Sequence, residues 1–291
     1  MIASGKELAD RLKASMKVEV AVYEAMYGRA PHLTVILVGD DPGSHSYVKG
    51  KAKAAEVVGI SSTTILRPAT ISQDELLTII DKLNADDTVD GILVQLPLPK
   101  HIQEDKIINA IAVEKDVDGF HTLNTGALWS KRDCIKPCTP LGIMRILEDN
   151  KIDLDGKHAV VVGRSQIVGL PIAKLLLDAN ATVTVVHSHT KDLKAMTLQA
   201  DVLIVATGHP ATINGSMVKD GAVVIDVGTN RNPETGKLCG DVDFASVEPK
   251  ASLITPVPGG VGPMTICSLM ENTITCYLRR MEGKKFSITA I

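Results

Sequence analysis

Aromatic side chains are scarce: Phe, Tyr and Trp together make up 3% of the 291 residues, with a single Trp. The core must therefore be built from Val, Ile, Leu and Ala, which suits helices laid on a buried parallel sheet. No apolar run approaches the ~20 residues that span a bilayer. No basic run occurs and the net charge is -3, which argues against nucleic acid or an anionic membrane surface as the main partner. Residues 1–7 lack the apolar stretch of a signal peptide, so a cytoplasmic location is expected. Cysteines are odd in number and scattered, at Cys134, Cys138, Cys239, Cys267 and Cys276. That pattern fits free thiols in a reducing compartment better than a disulfide framework. Cys134 and Cys138 are the one close pair, and no second pair completes a zinc site, so no metal is expected.

Hydrophobic residues at 45% and charged residues at 22% are the make-up of a soluble globular protein. The length suits two domains. In the first half, Ser4 and Glu7 form a capping box before a helix whose Leu8, Leu12, Met16 and Val20 recur near helical spacing. Residues 33–38 are a continuous apolar run, a strand buried on both faces. Residues 39–43 break it, Ser44 is the expected N-cap, and the next helix runs to about Val58. Strands follow over 61–66 and 91–95, separated by a helix that a Ser72/Glu75 capping box opens. Pro97 and Pro99 stiffen the loop behind Gln95. A short helix over 103–111 leads to Asp118, which precedes a glycine turn.

Tyr47 and Lys51 lie one turn apart on one helix face. Their helix starts at the carboxyl end of the first strand, where open α/β sheets place their ligands. Packed so closely, each tunes the other's proton affinity, which makes them a candidate acid/base pair. Gln95 and Asp118 stand at the ends of the following strand-like segments, so topology aims them at the same place. The plainer alternatives are a solvated basic helix face carrying Lys49, Lys51 and Lys53, a capping amide at Gln95, and an ordinary turn residue at Asp118. The Asp-x-Asp-Gly run at 116–119 also resembles part of a calcium loop, but the other ligands are missing.

Residues 136–140 read as a boundary loop before a helix over 141–150. A buried strand at 157–163, a Gly-containing turn at 163–169, a helix over 168–178 and a strand at 182–186 then make a βαβ unit. The turn feeds a helix N-terminus, whose free N–H groups and partial positive charge suit a phosphate. It departs from G-x-G-x-x-G, because Ser165 takes the second glycine's place and Gly169 comes one residue late. The second strand ends at His187, Ser188, His189 and Thr190, with no acid for a ribose 2′-hydroxyl. Arg164 and Ser188 suit a 2′-phosphate instead, which points to NADP over NAD. His187 and His189 lack a third metal ligand. Further strands at 201–205 and 221–227 follow, with Thr229 beside the expected nicotinamide pocket. The Pro/Gly loop at 256–263 reads as a rigid lid, a substrate-facing turn or a connector. A final helix over 264–280 is expected to return to the first domain. The expected fold is α/β in two domains: an N-terminal α/β catalytic domain (1–140 plus 264–291) and a Rossmann-like NADP-binding domain (141–263).

Six segments, in order, resemble the methylenetetrahydrofolate dehydrogenase/methenyltetrahydrofolate cyclohydrolase family. They are Tyr47-Val-Lys-Gly-Lys51, Val94-Gln-Leu-Pro-Leu-Pro99, Lys115-Asp-Val-Asp-Gly-Phe120, Pro137-Cys-Thr-Pro140, Gly163-Arg-Ser-Gln-Ile-Val-Gly169 and Pro256-Val-Pro-Gly-Gly-Val-Gly-Pro-Met-Thr265. The resemblance covers nearly the whole chain. It implies oxidation of 5,10-methylenetetrahydrofolate by NADP, then hydrolysis of the methenyl cation to 10-formyltetrahydrofolate. It also implies Lys51 as general acid/base, Tyr47 stacked on the folate, Gln95 hydrogen-bonded to Lys51, and Asp118 holding the pterin. Val48, Leu96, Pro97, Pro258, Gly259 and Gly260 are the further implied folate contacts. Gly163, Arg164, Ser165, Ile167, Val168, Ser188 and Thr229 are implied to line the NADP site, and a homodimer joined through the cofactor domains is implied as well.

Because the substrate is cationic at the reacting carbon, Lys51 is expected to work in its neutral form for part of the cycle. Cys267-Ser268 stands where this family usually has Ala-Met, and Thr122 where it often has Pro. Two rival readings remain beside the resemblance. A shikimate-dehydrogenase-like NADP oxidoreductase would not explain Tyr47 one turn from Lys51. A non-catalytic dinucleotide-binding protein would be marked by loss of Lys51 or Asp118, and both are present.

Overall fold

The computed structural model describes residues 1–232 and 235–283. They pack as two compact units, one of Met1–Asp10 with Thr139–Thr265, the other of Arg11–Cys138 with the residues from Ile266 on. Residues 284–291, which the sequence assigns to the catalytic domain, lie outside the described residues. Among the described residues no helix is long and apolar enough to cross a membrane.

In chain order the elements up to residue 129 are α1 (Gly5–Tyr27), β1 (His32–Val38), α2 (Pro42–Val58), β2 (Ser61–Arg67), α3 (Gln73–Ala85), β3 (Gly91–Val94), α4 (Glu104–Ala110) and α5 (Thr122–Trp129). The three strands form a parallel sheet in the order β2-β1-β3. Asp116 extends it by one parallel bridge to Ile92. The crossover after β1 leads to β2 on one side and the crossover after β2 returns to β3 on the other, which leaves a crevice at the carboxyl end of β1. Ile36, Leu76, Ile80, Ile92 and Ile107 are fully buried beneath α3 and α4. Each such side chain contributes ~1.5–3 kcal/mol over leaving it in water.

The Ser72/Glu75 capping box forms as the sequence implies. α2 starts earlier than expected: Asp41, not Ser44, is its N-cap, and the Asp41 carboxylate accepts the Ser44 N–H at 2.7 Å. Pro42 follows at the helix start, where a missing N–H costs nothing. The helix α5 has no counterpart in the sequence pattern. His121 starts it, its Nδ1 accepting the Leu123 N–H at 3.0 Å. The Thr122 N–H donates to Asn109 Oδ1 at 3.0 Å, a bond that proline at this position could not make.

The rest of the chain forms α6 (Cys138–Asp149), β4 (His158–Val162), α7 (Gly169–Asp178), β5 (Thr182–Val186), α8 (Leu193–Thr197), β6 (Val202–Val205), β7 (Val223–Asp226), β8 (Asn230–Arg231), β9 (Leu238–Cys239), α9 (Phe244–Val247), β10 (Leu253–Ile254) and α10 (Val261–Met281). Five strands make a parallel sheet, β10-β7-β6-β4-β5, and β8 with β9 make a short antiparallel ribbon. β4 has β5 on one side and β6 on the other, a second switch point. Residues 136–140 are not a loop throughout. α6 already begins at Cys138, because Pro140 falls in the first turn, where no intrahelical N–H is needed.

The first ten residues pack with the five-stranded unit, whereas the sequence places them with the catalytic domain. Backbone pairing decides it. Ala3 N–H reaches Ile254 O at 2.8 Å, Lys6 N–H reaches Gly259 O at 2.9 Å, and the Met1 ammonium reaches Ser252 O at 2.9 Å. Gly5 lies so close to the Pro/Gly loop that a Cβ would overlap the Gly260 carbonyl oxygen. α10 begins three residues before the expected Met264, and from Ile266 onward it belongs to the three-stranded unit. The Leu96–Pro97 and Val257–Pro258 peptide bonds are cis.

Ser268 on α10 is buried, and its Oγ has no hydrogen-bond partner among the described residues. Removing an unsatisfied buried hydroxyl is expected to stabilise by ~1 kcal/mol. Ser268→Ala should therefore raise Tm in thermal denaturation, and a lower Tm would refute the assignment.

Candidate active site

At the carboxyl end of the three-stranded sheet, α2 and the segments after β3 and Asp116 bring three side chains together. Lys51 is only 7% exposed. Its Nζ donates to Gln95 Oε1 at 2.9 Å, and Gln95 Nε2 donates to Leu96 O at 2.7 Å. The Gln95 N–H itself is tied to Ile36 O at 2.9 Å, so the amide is fixed from both ends. Burial raises the Asp118 carboxyl above its ordinary value, while the Lys51 charge and the Cys138 thiol oppose the rise. Tyr47 is half-buried one turn before Lys51, and its hydroxyl makes no hydrogen bond among the described residues. The hydrogen-bond partner of Lys51 is thus Gln95 rather than Tyr47. Lys49 and Lys53 are exposed, as a solvated face requires, and Val48 is buried. Leu96 is half-buried and Pro97 exposed.

The turn that carries Asp118 is built by its neighbour. Asp116 is buried, and its carboxylate accepts the N–H groups of Gly119 and Phe120 on one oxygen, with His121 N–H and Asn124 Nδ2 on the other. Asn124 Oδ1 in turn accepts the Ile135 N–H at 3.2 Å. Gly119 has φ 71°, and a Cβ there would press on the backbone at Ile135, Lys136 and Pro137. The sequence marks a turn at Asp118–Gly119 but not Asp116 as its organiser, because the Asp116 bonds run three to five residues on, outside the two-residue spacing of an Asx-turn. Cys138 and Asn272 also face this place and were not read as site residues.

In the other unit the turn between β4 and α7 fits a dinucleotide. Gly163 has φ 123°, and a Cβ on it would overlap the Ala206 carbonyl oxygen. A Cβ on Gly169 would overlap Gly163 O. These are the close approaches that a phosphate-binding turn requires. The Ser165 hydroxyl accepts the N–H groups of Val168 and Gly169 at 3.2 Å each, so it caps α7 rather than only facing a ligand. Ile167 is exposed and Val168 half-buried. Arg164, Ser188 and Thr229 are exposed and have no partner among the described residues, which leaves their donors for an anion. His187 and His189 pair edge to face, and among the described residues no cluster could hold a metal ion. Pro258 is exposed, Gly259 half-buried and Gly260 buried.

A glycine turn feeding a helix on a parallel sheet, together with a buried lysine held by a fixed amide, defines a dinucleotide-dependent enzyme of two α/β units. Family models agree with both. Residues 3–118 match the tetrahydrofolate dehydrogenase/cyclohydrolase catalytic domain, and residues 137–281 match the NAD(P)-binding domain of the same family. The bifunctional protein FolD of Oceanobacillus iheyensis is 59% identical over 273 residues, 94% of this chain and 95% of that one. The crystal structure of the bifunctional dehydrogenase/cyclohydrolase from Campylobacter jejuni superposes with a TM-score of 0.94 at 50% identity, covering 96% of this chain and 99% of that one. The dehydrogenase-cyclohydrolase of Trypanosoma brucei, complexed with NADP and an inhibitor, gives 0.93 at 39% identity, covering 96% and 97%. The chain belongs to the tetrahydrofolate dehydrogenase/cyclohydrolase family and is an enzyme of it, with an NAD(P)-binding domain.

Burial pushes the Asp116 carboxyl up to about 6, from an ordinary 3.8, with the hydrogen bonds of Asn124 and His121 opposing. A folded-state value raised in this way adds stability that is present below the unfolded value and lost as pH rises through about 6. Between pH 4 and 7 this group should cost the fold on the order of 3 kcal/mol. Asp116→Asn lacks that titration. Urea unfolding of both proteins across this range should show the wild type losing its advantage as pH rises, and parallel curves would sink the assignment.

Proposed function

We propose that the chain oxidises 5,10-methylenetetrahydrofolate with NADP to the methenyl cation and then hydrolyses that cation to 10-formyltetrahydrofolate. The observation that carries this reading is the buried Lys51 amine held at 2.9 Å by Gln95. Folate chemistry falls to the unit of Arg11–Cys138 with α10, and dinucleotide binding to the unit of Thr139–Thr265. Bound NADP supplies the acceptor for the hydride that leaves the methylene bridge. Gly163 and Ser165 with the start of α7 would receive its diphosphate, Arg164 and Ser188 the 2′-phosphate, and Thr229 the nicotinamide side. Ile167 and Val168 would line the same turn.

Within the unit of Arg11–Cys138, Tyr47 stacks on the folate and Asp118 accepts hydrogen bonds from the N–H donors of the pterin. Leu96 and Pro97 offer further contacts, and Val48 supports the helix from beneath. In the hydrolytic step a water oxygen bonds to the methenyl carbon, and neutral Lys51 takes the proton that the water releases. The bond from that carbon to N5 then breaks, and N5 accepts a proton. Gln95 keeps its oxygen toward Lys51, since its amide nitrogen is engaged by Leu96 O. The working form is proposed to be a cytoplasmic homodimer joined through the cofactor domains. β5 lies at the edge of its sheet, with backbone groups left for a partner strand.

Lys51→Met should lower cyclohydrolase activity by ~100-fold or more, the usual worth of a general base, while NADP binding holds. Arg164→Ala should raise the KM for NADP ~10-fold or more, the loss of a charge-assisted bond, and leave the KM for NAD unchanged. Retained hydrolysis in the first, or equal shifts for both cofactors in the second, would overturn the corresponding role. Sedimentation equilibrium should return twice the 31.0 kDa chain mass, and a single chain mass would exclude the dimer.

A further inference from the structure

In the five-stranded unit the parallel ladder ends with Ala206 N–H on Val162 O at 2.8 Å and Val227 N–H on Val205 O at 2.9 Å. Beyond those bonds the chains after β6 and β7 leave the sheet, and Asp241 takes hold of both. Asp241 follows β9 and is fully buried. One carboxylate oxygen accepts the consecutive N–H groups of Thr207 and Gly208 at 2.5 and 2.9 Å. The other accepts Asn230 Nδ2 at 2.7 Å, and Asn230 is the neighbour of Thr229. The Asp241 backbone is fixed in turn: its N–H donates to Asp226 Oδ1 at 2.9 Å, and its carbonyl accepts the Ile213 N–H at 3.2 Å. Gly228 leaves the room, because a Cβ on it would overlap the Asp241 carboxylate. The Thr207 hydroxyl is engaged within its own turn, with Thr212 Oγ1 at 3.1 Å and the His209 N–H at 3.3 Å.

We infer that Asp241 is a positioning residue for the nicotinamide half of the dinucleotide, acting through the Thr207–Gly208 backbone and through Asn230 beside Thr229. A loop fixed before binding has little freedom left to lose, whereas a loop ordered only by its ligand lowers the affinity. Three donors from two loops converge on this one side chain. An aspartate accepts all three. An asparagine can make the same three bonds only if Asn230 turns its amide over, so that Oδ1 faces the new Nδ2. A shorter side chain makes none of them. Arg164 and Ser188, which would hold the 2′-phosphate, follow β4 and β5 and have no bond to Asp241 among the described residues. The influence of Asp241 is therefore confined to the half of the cofactor that faces the loops after β6 and β7. This inference rests on the reading that the dinucleotide lies on this edge with Thr229 toward its nicotinamide.

The test is calorimetric binding of two ligands to the full-length enzyme: NADP, and adenosine 2′,5′-bisphosphate, a fragment that lacks the nicotinamide half. Asp241→Ala should weaken NADP ~10-fold or more, the order of affinity lost when a loop must be ordered on binding. The same variant should bind the bisphosphate as the wild type does. Asp241→Asn should bind both ligands normally. Asn230→Asp sets two carboxylates face to face and should weaken NADP alone. Adding Asp241→Asn to it puts a donor opposite the new carboxylate and should restore the affinity. Hydrolysis of 5,10-methenyltetrahydrofolate, which needs no dinucleotide, should hold in every variant at 241 and 230. Equal losses for NADP and the bisphosphate, a matching loss of hydrolysis, or a double variant no better than Asn230→Asp would overturn the inference. Should Asp241→Ala fail to fold, Asn230→Asp and the double variant still decide it. Arg164→Ala separates the two readings. If it binds the bisphosphate as the wild type does, the proposed cofactor edge itself fails. If it weakens the bisphosphate while Asp241→Ala keeps wild-type NADP affinity, only the positioning inference fails.

Discussion

A carboxylate taken out of water must find donors, and in this protein that requirement shapes both ligand-facing edges. Asp116 collects four donors from a turn of nine residues. One of them, Asn124, passes the constraint on to Ile135 through its other amide atom. Asn272 then ties the backbone on both sides of this assembly. The result is a chain of satisfied buried polar groups running from the turn through α5 to α10. Asp118 sits in the middle of it and owes its placement to neighbours that need not touch a substrate.

The five-stranded unit solves the same problem with a second buried acid pair. Asp226, at the end of β7, accepts the N–H groups of Gly228, Asp241 and Val242. Asp241 accepts those of Thr207 and Gly208 and the side chain of Asn230. The loops after β6 and β7 are thereby held to each other at the carboxyl edge, with Thr229 between their anchors. Burial pushes Asp226 up to about 6, the energetic mark of a carboxylate retained for architecture. Gly228 and Gly240 are required here, because a Cβ on either would overlap an acid's oxygen. The exposed donors Arg164, Ser188 and Thr229 stand on a frame in which, among the described residues, the buried acids have their donors, and that separation of frame from unpaired donors is what a binding edge requires.

Local signals in the chain were informative where a single physical cause dominates. Continuous Val/Ile/Leu runs gave parallel strands, Ser72 with Glu75 gave a complete capping box, and the turn at 163–169 gave the start of α7. They failed where two causes compete. Ser44 and Asp41 are both good caps, and Pro42 at the helix start decided for Asp41. Residues 136–140 carry two prolines and read as a loop, yet a helix tolerates proline in its first turn. α5 has a short, weakly patterned sequence, and its start depends on the His121 side chain.

The order of strands and helices along the chain and the polar side chains at strand ends were determined by the sequence itself, because alternation, burial period and capping act over a few residues, whereas the switch points follow from the strand order in each sheet. Which of those side chains meet was decided by tertiary structure. Lys51 and Gln95 are 44 residues apart, and Asn272 reaches a carbonyl 155 residues away. Such bonds exist only once the sheet has set its register and the buried groups have exhausted their partners. For the same reason the first ten residues joined the unit that offered them backbone acceptors, which no local pattern in those residues could disclose.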